Sequence, residues 1–488
     1  MYRKRDELNG FERFDLVFGG KLRRDNRWVI LADLLPWDEV EQRYRSLFAK
    51  DNGRPAIPLR VALGSLLIKE RLKISDEETV EQIRETPYLQ YFIGYESYRD
   101  EVPFDPSMMV HFRKRLSSAI LREVNNLIVQ REVAKSKTLE KKDDEDGDDD
   151  EPGNCGTLIT DATCVPEDMR FPVDVTLLDE ARRKTEKMID TLHAAMPSGS
   201  MKPRTYRKVA RKEFLGFIRN RKPRRRDIRR AIKVQLQYVR RDVGLLEGLA
   251  DKVGIEILTN KQRRDLGVIK ELLWQQSEMY RTKGRSVPNR IVSIAKPHVR
   301  PIARGKARAM YEFGAKISVS MLEGYTRVER LSWDNYNESG DLKPMLEDYK
   351  LRHGVFPEVV CADKIYRNRS NLEFCRDNHI RLSGPRLGRP LRDPEKLRAQ
   401  RNIERQDESS RVAVEGKFGE AKGPYTLDRV CTRLKETSET TIMLVIIVMN
   451  LMRMMRDRAR SIFVVILESL LKLMAWRRHD NSEWLCVA

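Results

Sequence analysis

The stretch VVCADKIYRNRSN at residues 359–371 places an acidic residue directly after an apolar run. A short apolar run of this kind predicts a buried strand, here one that ends at Asp363. GTLITD at residues 156–161 has the same form and predicts a strand that ends at Asp161. Carboxylates at the ends of neighbouring strands can converge on one point. Asp161 and Asp363 are therefore candidates for one site, although they are about two hundred residues apart.

A third acid lies in the predicted helix Glu404–Lys422. At about 100° per residue, Glu415 lies about 40° and Lys422 about 20° from Arg411 around the helix axis. Divalent cations such as Mg²⁺ take oxygen ligands, and two of them roughly 4 Å apart can activate a water and stabilise a leaving oxygen. The flanking cations suit the phosphates of a scissile strand. The plainer alternative is that the two Asp residues cap strands and that Arg411 and Glu415 form a solvent-facing pair.

Four further residues have two interpretations. Asp174, Asp179 and Asp334 are additional acids that could replace one of the three as a ligand. Trp333 follows a predicted strand, where it would either stack on an unpaired base or belong to the core.

The surrounding pattern predicts an α/β fold. Phe313–Met321 and Thr326–Trp333 alternate apolar and polar residues, which predicts a β-hairpin. A short strand is also predicted at Ile380–Ser383. Together with the strands that end at Asp161 and Asp363, these form a mixed five-stranded sheet with helices. This catalytic domain would span residues 156–460, and a helical insertion at about 180–300 would interrupt it.

The insertion carries most of the chain's positive charge. Lys202–Arg241 contains seventeen Lys and Arg residues and only two acidic residues, in a chain whose net charge is +20. Its apolar residues recur at helical spacing, which predicts packed helices rather than a loose tail. A cluster in this segment is predicted to contact DNA phosphates, namely Arg224, Arg225, Arg226, Arg229 and Arg230. The alternative is that these arginines pair with an acidic segment or with a neighbouring subunit.

Residues 1–138 are predicted to form a helical, basic module. Asp105-Pro106-Ser107 precedes Met108–Leu116, which is typical of a helix start. A helix-turn-helix variant with Arg113 and Arg115 near DNA is one interpretation, and a structural helical cap is the other. Residues 139–155 are predicted to be a linker, because eight of the nine residues Asp143–Glu151 are acidic.

Composition excludes several classes of protein. Six Cys residues without a CxxC pair argue against a disulfide scaffold or structural zinc. The charged start, Met1–Asp6, leads into no apolar run, so no secretory signal is predicted. The run Ile442–Met449 is too short to span a bilayer and predicts a buried helix. Residues 461–488 are expected to form a C-terminal helical tail. A basic protein of this kind is expected to bind a polyanion such as nucleic acid.

Three acidic blocks resemble those of one enzyme family. RVAVEGKFGEAK, with Arg411, Glu415 and Lys422, resembles the glutamate signature of DDE transposases of bacterial insertion sequences, and most closely the insertion-sequence-five group. DATCVPEDMRFPVDVTLLDEAR at 161–182 and VVCADKIYRNRSN at 359–371 resemble its two Asp blocks. TPYLQYF at 86–92, FDPS at 104–107 and FRKRL at 112–116 resemble its N-terminal module.

The resemblance implies an RNase H-like catalytic domain in which Asp161, Asp363 and Glu415 bind Mg²⁺ or Mn²⁺, with two ions expected. It also implies an N-terminal domain that binds terminal inverted repeats, and cut-and-join chemistry on double-stranded DNA. The expected protein acts as a dimer on DNA in the bacterial cytoplasm, associated with the nucleoid. DNA contacts near the acids are expected from Arg411, Lys422, Lys364, Tyr366 and Arg367.

Two positions depart from the family pattern. Glu408 stands where the wider signature has Tyr, and Ile365 stands where the second Asp block often has Gly. Two other functions stay open: a related endonuclease that cuts without strand transfer, and an inactive DNA-binding repressor derived from a transposase. All three acids are present, which favours an active enzyme.

Overall fold

A computed structural model of the chain describes residues 20–46, 48, 56–140, 153–306, 309–385 and 393–483. Most of the predicted linker 139–155, including its acidic run Asp143–Glu151, lies outside these residues. The helices before the first strand are α1 (Arg27–Leu34), α2 (Trp37–Arg45), α3 (Leu59–Leu72), α4 (Asp76–Glu85), α5 (Pro87–Phe92), α6 (Met108–Arg115) and α7 (Ser118–Glu140). This part of the chain is helical, as its sequence predicts.

The remainder of the described chain combines strands and helices. The strands are β1 (Thr157–Pro166), β2 (Arg300–Lys306), β3 (Ala309–Leu322), β4 (Tyr325–Ser332), β5 (Val359–Cys361) and β6 (Arg381–Leu382). The helices are α8 (Asp174–Ala194), α9 (Arg207–Arg219), α10 (Arg225–Val253), α11 (Asn260–Thr282), α12 (Leu342–His353), α13 (Arg369–Asp377), α14 (Pro394–Lys422) and α15 (Lys435–Glu483). The predicted α/β class and the β3–β4 hairpin are therefore confirmed.

The strands form one mixed sheet in the order β2-β3-β1-β5-β6, and β4 also pairs with β3. β1 is central, because it pairs antiparallel with β3 and parallel with β5. Gly314 permits the close approach of β3 to β1, since a Cβ there would overlap the carbonyl of Val165. β1 therefore brings its own side chains next to those that follow β5.

The prediction of five strands is wrong, because the described sheet has six. β3 has 14 residues but β4 has only 8, so β4 pairs with the second half of β3 and leaves the first half without a partner on that side. β2 fills this position by pairing with residues 309–314. Its sequence, RPIARGK, shows no apolar alternation that would have predicted a strand.

Two hydrophobic cores lie in the described residues. One contains the N-terminal helices, the sheet and α15 together, with Leu63, Phe112, Val319 and Ile447 among its members. The other belongs mainly to α8, α10 and α11, and its fully buried members are Leu178, Ala181, Ile189, Leu192, Val239, Leu246, Ile269, Leu272 and Ile294. The predicted helices of the basic segment Lys202–Arg241 are thus confirmed in α9 and α10, and α10 contributes to the second core.

α15 is the central helix of the first core. Ile442–Met449 is buried along its length, which confirms the predicted buried helix. The helix is longer than predicted, because it continues to Glu483 without a break. Lys435–Ser461 is the one stretch of the described chain that is long and apolar enough to cross a membrane, and 78% of its most apolar window is buried within the fold. Such burial is typical of a core helix.

Candidate catalytic site and basic surfaces

The register of the sheet brings the two predicted Asp residues to the same level. Ile159 of β1 pairs with Cys361 of β5, and Asp161 and Asp363 each follow two residues later. Asp161 Oδ1 accepts a hydrogen bond from the Ala162 N–H at 2.7 Å, and Asp363 Oδ1 accepts one from the Lys364 N–H at 2.7 Å. Both carboxylates are thus held by the backbone. Asp363 lies just beyond the end of β5, as predicted, but the predicted strand end at Asp161 is wrong, because pairing with β3 extends β1 to Pro166.

Arg411 connects all three predicted acids. Its Nη1 lies 4.0 Å from Asp161 Oδ2 and 4.0 Å from Asp363 Oδ1, and its Nη2 lies 3.5 Å from Glu415 Oε1. Lys422 Nζ, farther along α14, donates to Thr163 Oγ1 of β1 at 2.9 Å. Arg411, Glu415 and Lys422 therefore face β1 together, as the helical spacing predicts.

Burial changes the electrostatics of Asp161. The pKa of Asp161 is raised to about 6, mainly by desolvation, and the nearby carboxylates of Asp363 and Glu338 act in the same direction. The Ala162 N–H and the Arg411 guanidinium act in the opposite direction. A carboxyl group in this environment is costly to ionise unless a cation is close to it.

Within the described ranges, no group of three His, Cys, Asp or Glu residues is arranged to hold a metal ion. The donors themselves suit a divalent metal, because three carboxylates supply only oxygen, which Mg²⁺ and Mn²⁺ prefer. The Arg411 guanidinium also shows that all three can face one cation. The donor chemistry of the three residues therefore fits such a metal, although in this structure the guanidinium lies among them and they form no closed set of ligands.

Glu338 is a fourth acid near the site that the sequence patterns did not predict. It begins a short 3-10 helix at Glu338–Asp341, and its carboxylate pairs with Lys316 of β3. A lysine at a half-buried position of a β-strand requires a partner, so Lys316 was the available signal for an acid nearby.

Two of the residues that were predicted to contact DNA near the acids are instead buried or hydrogen bonded within the protein. Tyr366 is fully buried, which argues against a contact with DNA. Arg367 Nη1 donates to the carbonyl oxygens of Leu382 and Ser383, at 2.7 Å each, so it fixes the end of β6. Lys364, between Asp363 and these residues, is exposed.

The additional acids have structural partners. Asp174 accepts hydrogen bonds from Gln276 and Arg290, at 2.8 and 2.7 Å. Asp179 is buried against Arg182 and Arg183. Asp334 is exposed, and its carboxylate lies 3.8 Å from Arg300.

Trp333 belongs to the core. It is only 6% exposed, and its Nε1 donates to Glu439 at 2.9 Å. The alternative in which this ring stacks on a base is therefore wrong for this structure.

The two N-terminal arginines that were predicted to contact DNA differ in their burial. Arg113 is buried and donates to both carboxylate oxygens of Asp76, at 3.0 and 2.5 Å. A contact with DNA would break this pair, so the structure argues against that prediction. Arg115 is exposed, with its guanidinium 5.3 Å from the centre of the Phe48 ring.

The arginine cluster of the insertion lies at the surface. Arg224, Arg225, Arg226, Arg229 and Arg230 are all exposed at the start of α10. Arg229 donates to the Tyr280 carbonyl at 3.1 Å, and its guanidinium lies 4.1 Å from the centre of the Tyr280 ring. The cluster therefore presents its charges to solvent from a helix that packs on α8 and α11.

A cleft of about 1240 Å³ separates the N-terminal helices from the insertion. Its walls include Lys73 after α3, Lys261 in α11 and Arg433 before α15. Eight Lys or Arg residues and four acidic residues line it in total. The cleft thus carries an excess of positive charge between two regions that were predicted to bind DNA.

Comparison with known families agrees with the motifs. Residues 17–115 match the family model described as transposase domain (DUF772), and residues 360–452 match the transposase DDE domain. The second match includes Asp363, Arg411, Glu415 and Lys422, whereas Asp161 lies outside it. These matches confirm the predicted resemblance to DDE transposases.

One curated protein is similar to part of the chain. It is a Rhizobium meliloti protein described as uncharacterized protein ORF8 in the nfe locus, 35% identical over 117 residues. The match covers 23% of this chain and 56% of that protein, so the chain spans about half the length of this relative. No solved structure matches the chain.

Proposed function

We propose that this chain is a transposase that binds the terminal inverted repeats of an insertion sequence and catalyses metal-dependent cleavage and strand transfer. The supporting observation is that Asp161, Asp363 and Glu415, from three separate parts of the chain, share one guanidinium beside β1. The two matches to transposase domains add independent support. In this proposal the sheet and its helices are an RNase H-like catalytic domain, interrupted by the basic insertion.

The three carboxylates would hold Mg²⁺ or Mn²⁺, with two ions expected. A bound divalent cation would supply Lewis acidity that activates water for hydrolysis and stabilises the leaving 3′-oxygen. In the second reaction the freed 3′-hydroxyl would replace water and attack a phosphodiester of the target, and the target's own 3′-oxygen would leave as that bond breaks. Asp161 contributes to both reactions by its burial, because a desolvated carboxylate interacts strongly with any nearby cation.

The cations beside the acids would hold the scissile strand. Lys422 is fixed by Thr163 on the strand that carries Asp161, so its charge is close to the acids. Lys364 is exposed directly after Asp363. Each can place a positive charge beside a phosphate without moving the sheet.

We further propose that DNA lies along the cleft and the arginine cluster of the insertion. The excess positive charge of the cleft supports this path, since phosphate contacts supply most of the non-specific affinity for DNA. The protein would work in the bacterial cytoplasm as a dimer on double-stranded DNA.

Reaction products separate this proposal from its two alternatives. The purified full chain is incubated with Mg²⁺, a target plasmid and a DNA fragment that carries the repeats flanking its gene. A transposase joins the fragment to the plasmid, and gap filling of these products by an added DNA polymerase gives a short duplication of target sequence. Cleaved ends without joining would instead support an endonuclease, and binding without cleavage would support a repressor.

A further inference from the structure

The guanidinium of Arg411 lies within 4.0 Å of all three carboxylates in the DNA-free chain. Its two terminal nitrogens lie 3.5–4.0 Å from one oxygen of each acid. The side chain of Arg411 is 25% exposed, whereas those of Asp363 and Glu415 are 48% and 54% exposed. Solvent therefore reaches the site around the guanidinium.

The contacts of Arg411 are loose in comparison with other arginine pairs of this chain. Arg113 and Arg381 hold their Asp partners at 2.5–3.0 Å and 2.6–2.9 Å, with both carboxylate oxygens engaged. Among the described residues, Arg411 makes no such paired contact and is held by the combined field of three acids. A charge held in this way can leave when another partner offers two direct hydrogen bonds, as a phosphate does.

We propose that Arg411 is the resident cation of this site before DNA binds, and that its guanidinium competes with the divalent metal for Asp161, Asp363 and Glu415. This inference rests on the proposed function, in which these acids are the metal ligands. A guanidinium stays protonated at any physiological pH, so the metal has to displace it rather than wait for it to lose a proton. A DNA phosphate that binds Arg411 draws it away from the acids and opens the site to the metal.

The opposite role is also physically reasonable, and it predicts the opposite result. Arg411 could hold the three acids in position for the metal, so that its removal would lower metal affinity through mutual repulsion of the carboxylates. The two roles are distinguished by the direction in which metal affinity changes when the guanidinium is removed.

The test is calorimetric titration of the DNA-free full chain with Mn²⁺. Arg411→Gln removes the charge, Arg411→Lys keeps it, and Arg405→Gln removes an exposed charge from the same helix as a matched control. Competition predicts that Arg411→Gln binds Mn²⁺ about tenfold or more tightly than wild type, while the other two variants stay near wild type. An unchanged or lower affinity in Arg411→Gln overturns the proposal.

A second measurement uses the coupling between DNA and metal. Duplex DNA should raise the Mn²⁺ affinity of the wild type but have little effect on that of Arg411→Gln, because the guanidinium is the link between the two ligands. Equal enhancement in both proteins contradicts the proposal.

Failure of the proposed function would look different. Glu415→Gln in the Arg411→Gln background should abolish the tight Mn²⁺ binding. If Mn²⁺ binds that double variant as tightly as it binds Arg411→Gln, the acids are not the metal ligands and both proposals fall. If Glu415→Gln alone weakens Mn²⁺ binding but Arg411→Gln does not strengthen it, the metal site stands and only the competition is wrong.

Discussion

The N-terminal helices and the basic insertion are both helical, yet they are attached to the sheet in different ways. The N-terminal helices share one continuous core with the sheet and α15. Asn450 of α15 shows this integration, because it is hydrogen bonded to Asn125 of α7 and to the backbone of Thr326 in β4. The insertion has a core of its own. Helical periodicity is similar in both regions, so only packing reveals which of them is built into the sheet region.

The insertion contacts the segments that follow β1 and precede α15 through polar groups near its own C-terminal end. Lys296, after α11, forms a buried ion pair with Glu167 and donates to the Val430 carbonyl at 3.1 Å. An ion pair of this kind contributes little net stability, although breaking it leaves a buried charge. We therefore expect the insertion to respond to mutation separately from the sheet.

The largest expected effect concerns the two cores. Ile447 in the shared core and Ile269 in the insertion are both fully buried. Replacing either with Ala should cost about 2–5 kcal/mol locally. Hydrogen exchange should show that Ile447→Ala lowers protection in the N-terminal helices and the sheet, whereas Ile269→Ala lowers it only in α8, α10 and α11. An equal loss of protection throughout the chain in both variants would contradict the division into two separate cores.

The next effect concerns DNA affinity. Changing Arg224, Arg225, Arg226, Arg229 and Arg230 to Gln should flatten the slope of log affinity against log salt by up to about 4. Binding should weaken alike for all sequences, and the preference for terminal repeats should persist if the N-terminal helices read the bases. Binding titrations from low to moderate salt measure the slope. An unchanged slope with poorer solubility or assembly would instead indicate that these arginines pair within the protein or with a neighbouring subunit.

The smallest effect concerns pH. Asp242 of α10 is buried, and neither carboxylate oxygen has a hydrogen-bond partner among the described residues. Burial and the charge of Glu186 raise the pKa of Asp242 to about 7, despite opposition from Arg241 and Arg182. The folded state thus binds more protons than the unfolded state between about pH 4 and pH 7, so the insertion loses stability as pH rises through this range.

Asp242→Asn should remove this dependence and stabilise the insertion at pH 8 by about 1–2 kcal/mol. Urea unfolding of both proteins at pH 5 and pH 8, followed by hydrogen exchange in α8, α10 and α11, measures the difference. A wild-type insertion that is more stable at pH 8 than at pH 5 would contradict this sign.

Local patterns predicted much of the candidate site. The position of Asp363 after β5 and the helical spacing of Arg411, Glu415 and Lys422 follow from periods of two and about 3.6 residues. The predicted strand end at Asp161 was wrong, because the sequence does not show that β3 pairs with β1 as far as Pro166. Burial of Tyr366 and Arg113 could not be predicted in this way, because motifs do not show which neighbour covers a side chain. β2 was missed for a related reason. It is a strand because it pairs with the first half of β3, which β4 does not reach, and not because of a pattern in its own residues.

The shared core could not be predicted from the sequence either. Ile442–Met449 predicted a buried helix, but nothing local shows that its partners include helices more than three hundred residues earlier. Contacts over such separations depend on topology, which a single sequence specifies only through the whole fold.

Cleavage by single variants of the three acids tests the central claim most directly. Asp161→Asn, Asp363→Asn and Glu415→Gln each remove one charge and little volume, and Asp334→Asn is the matched control at an exposed acid outside the site. With Mg²⁺ and a terminal-repeat substrate, we expect each of the three to lower cleavage by about a thousandfold or more, while DNA binding and the control stay near wild type. Normal cleavage by any one of the three would show that this residue is not a metal ligand and would contradict the account.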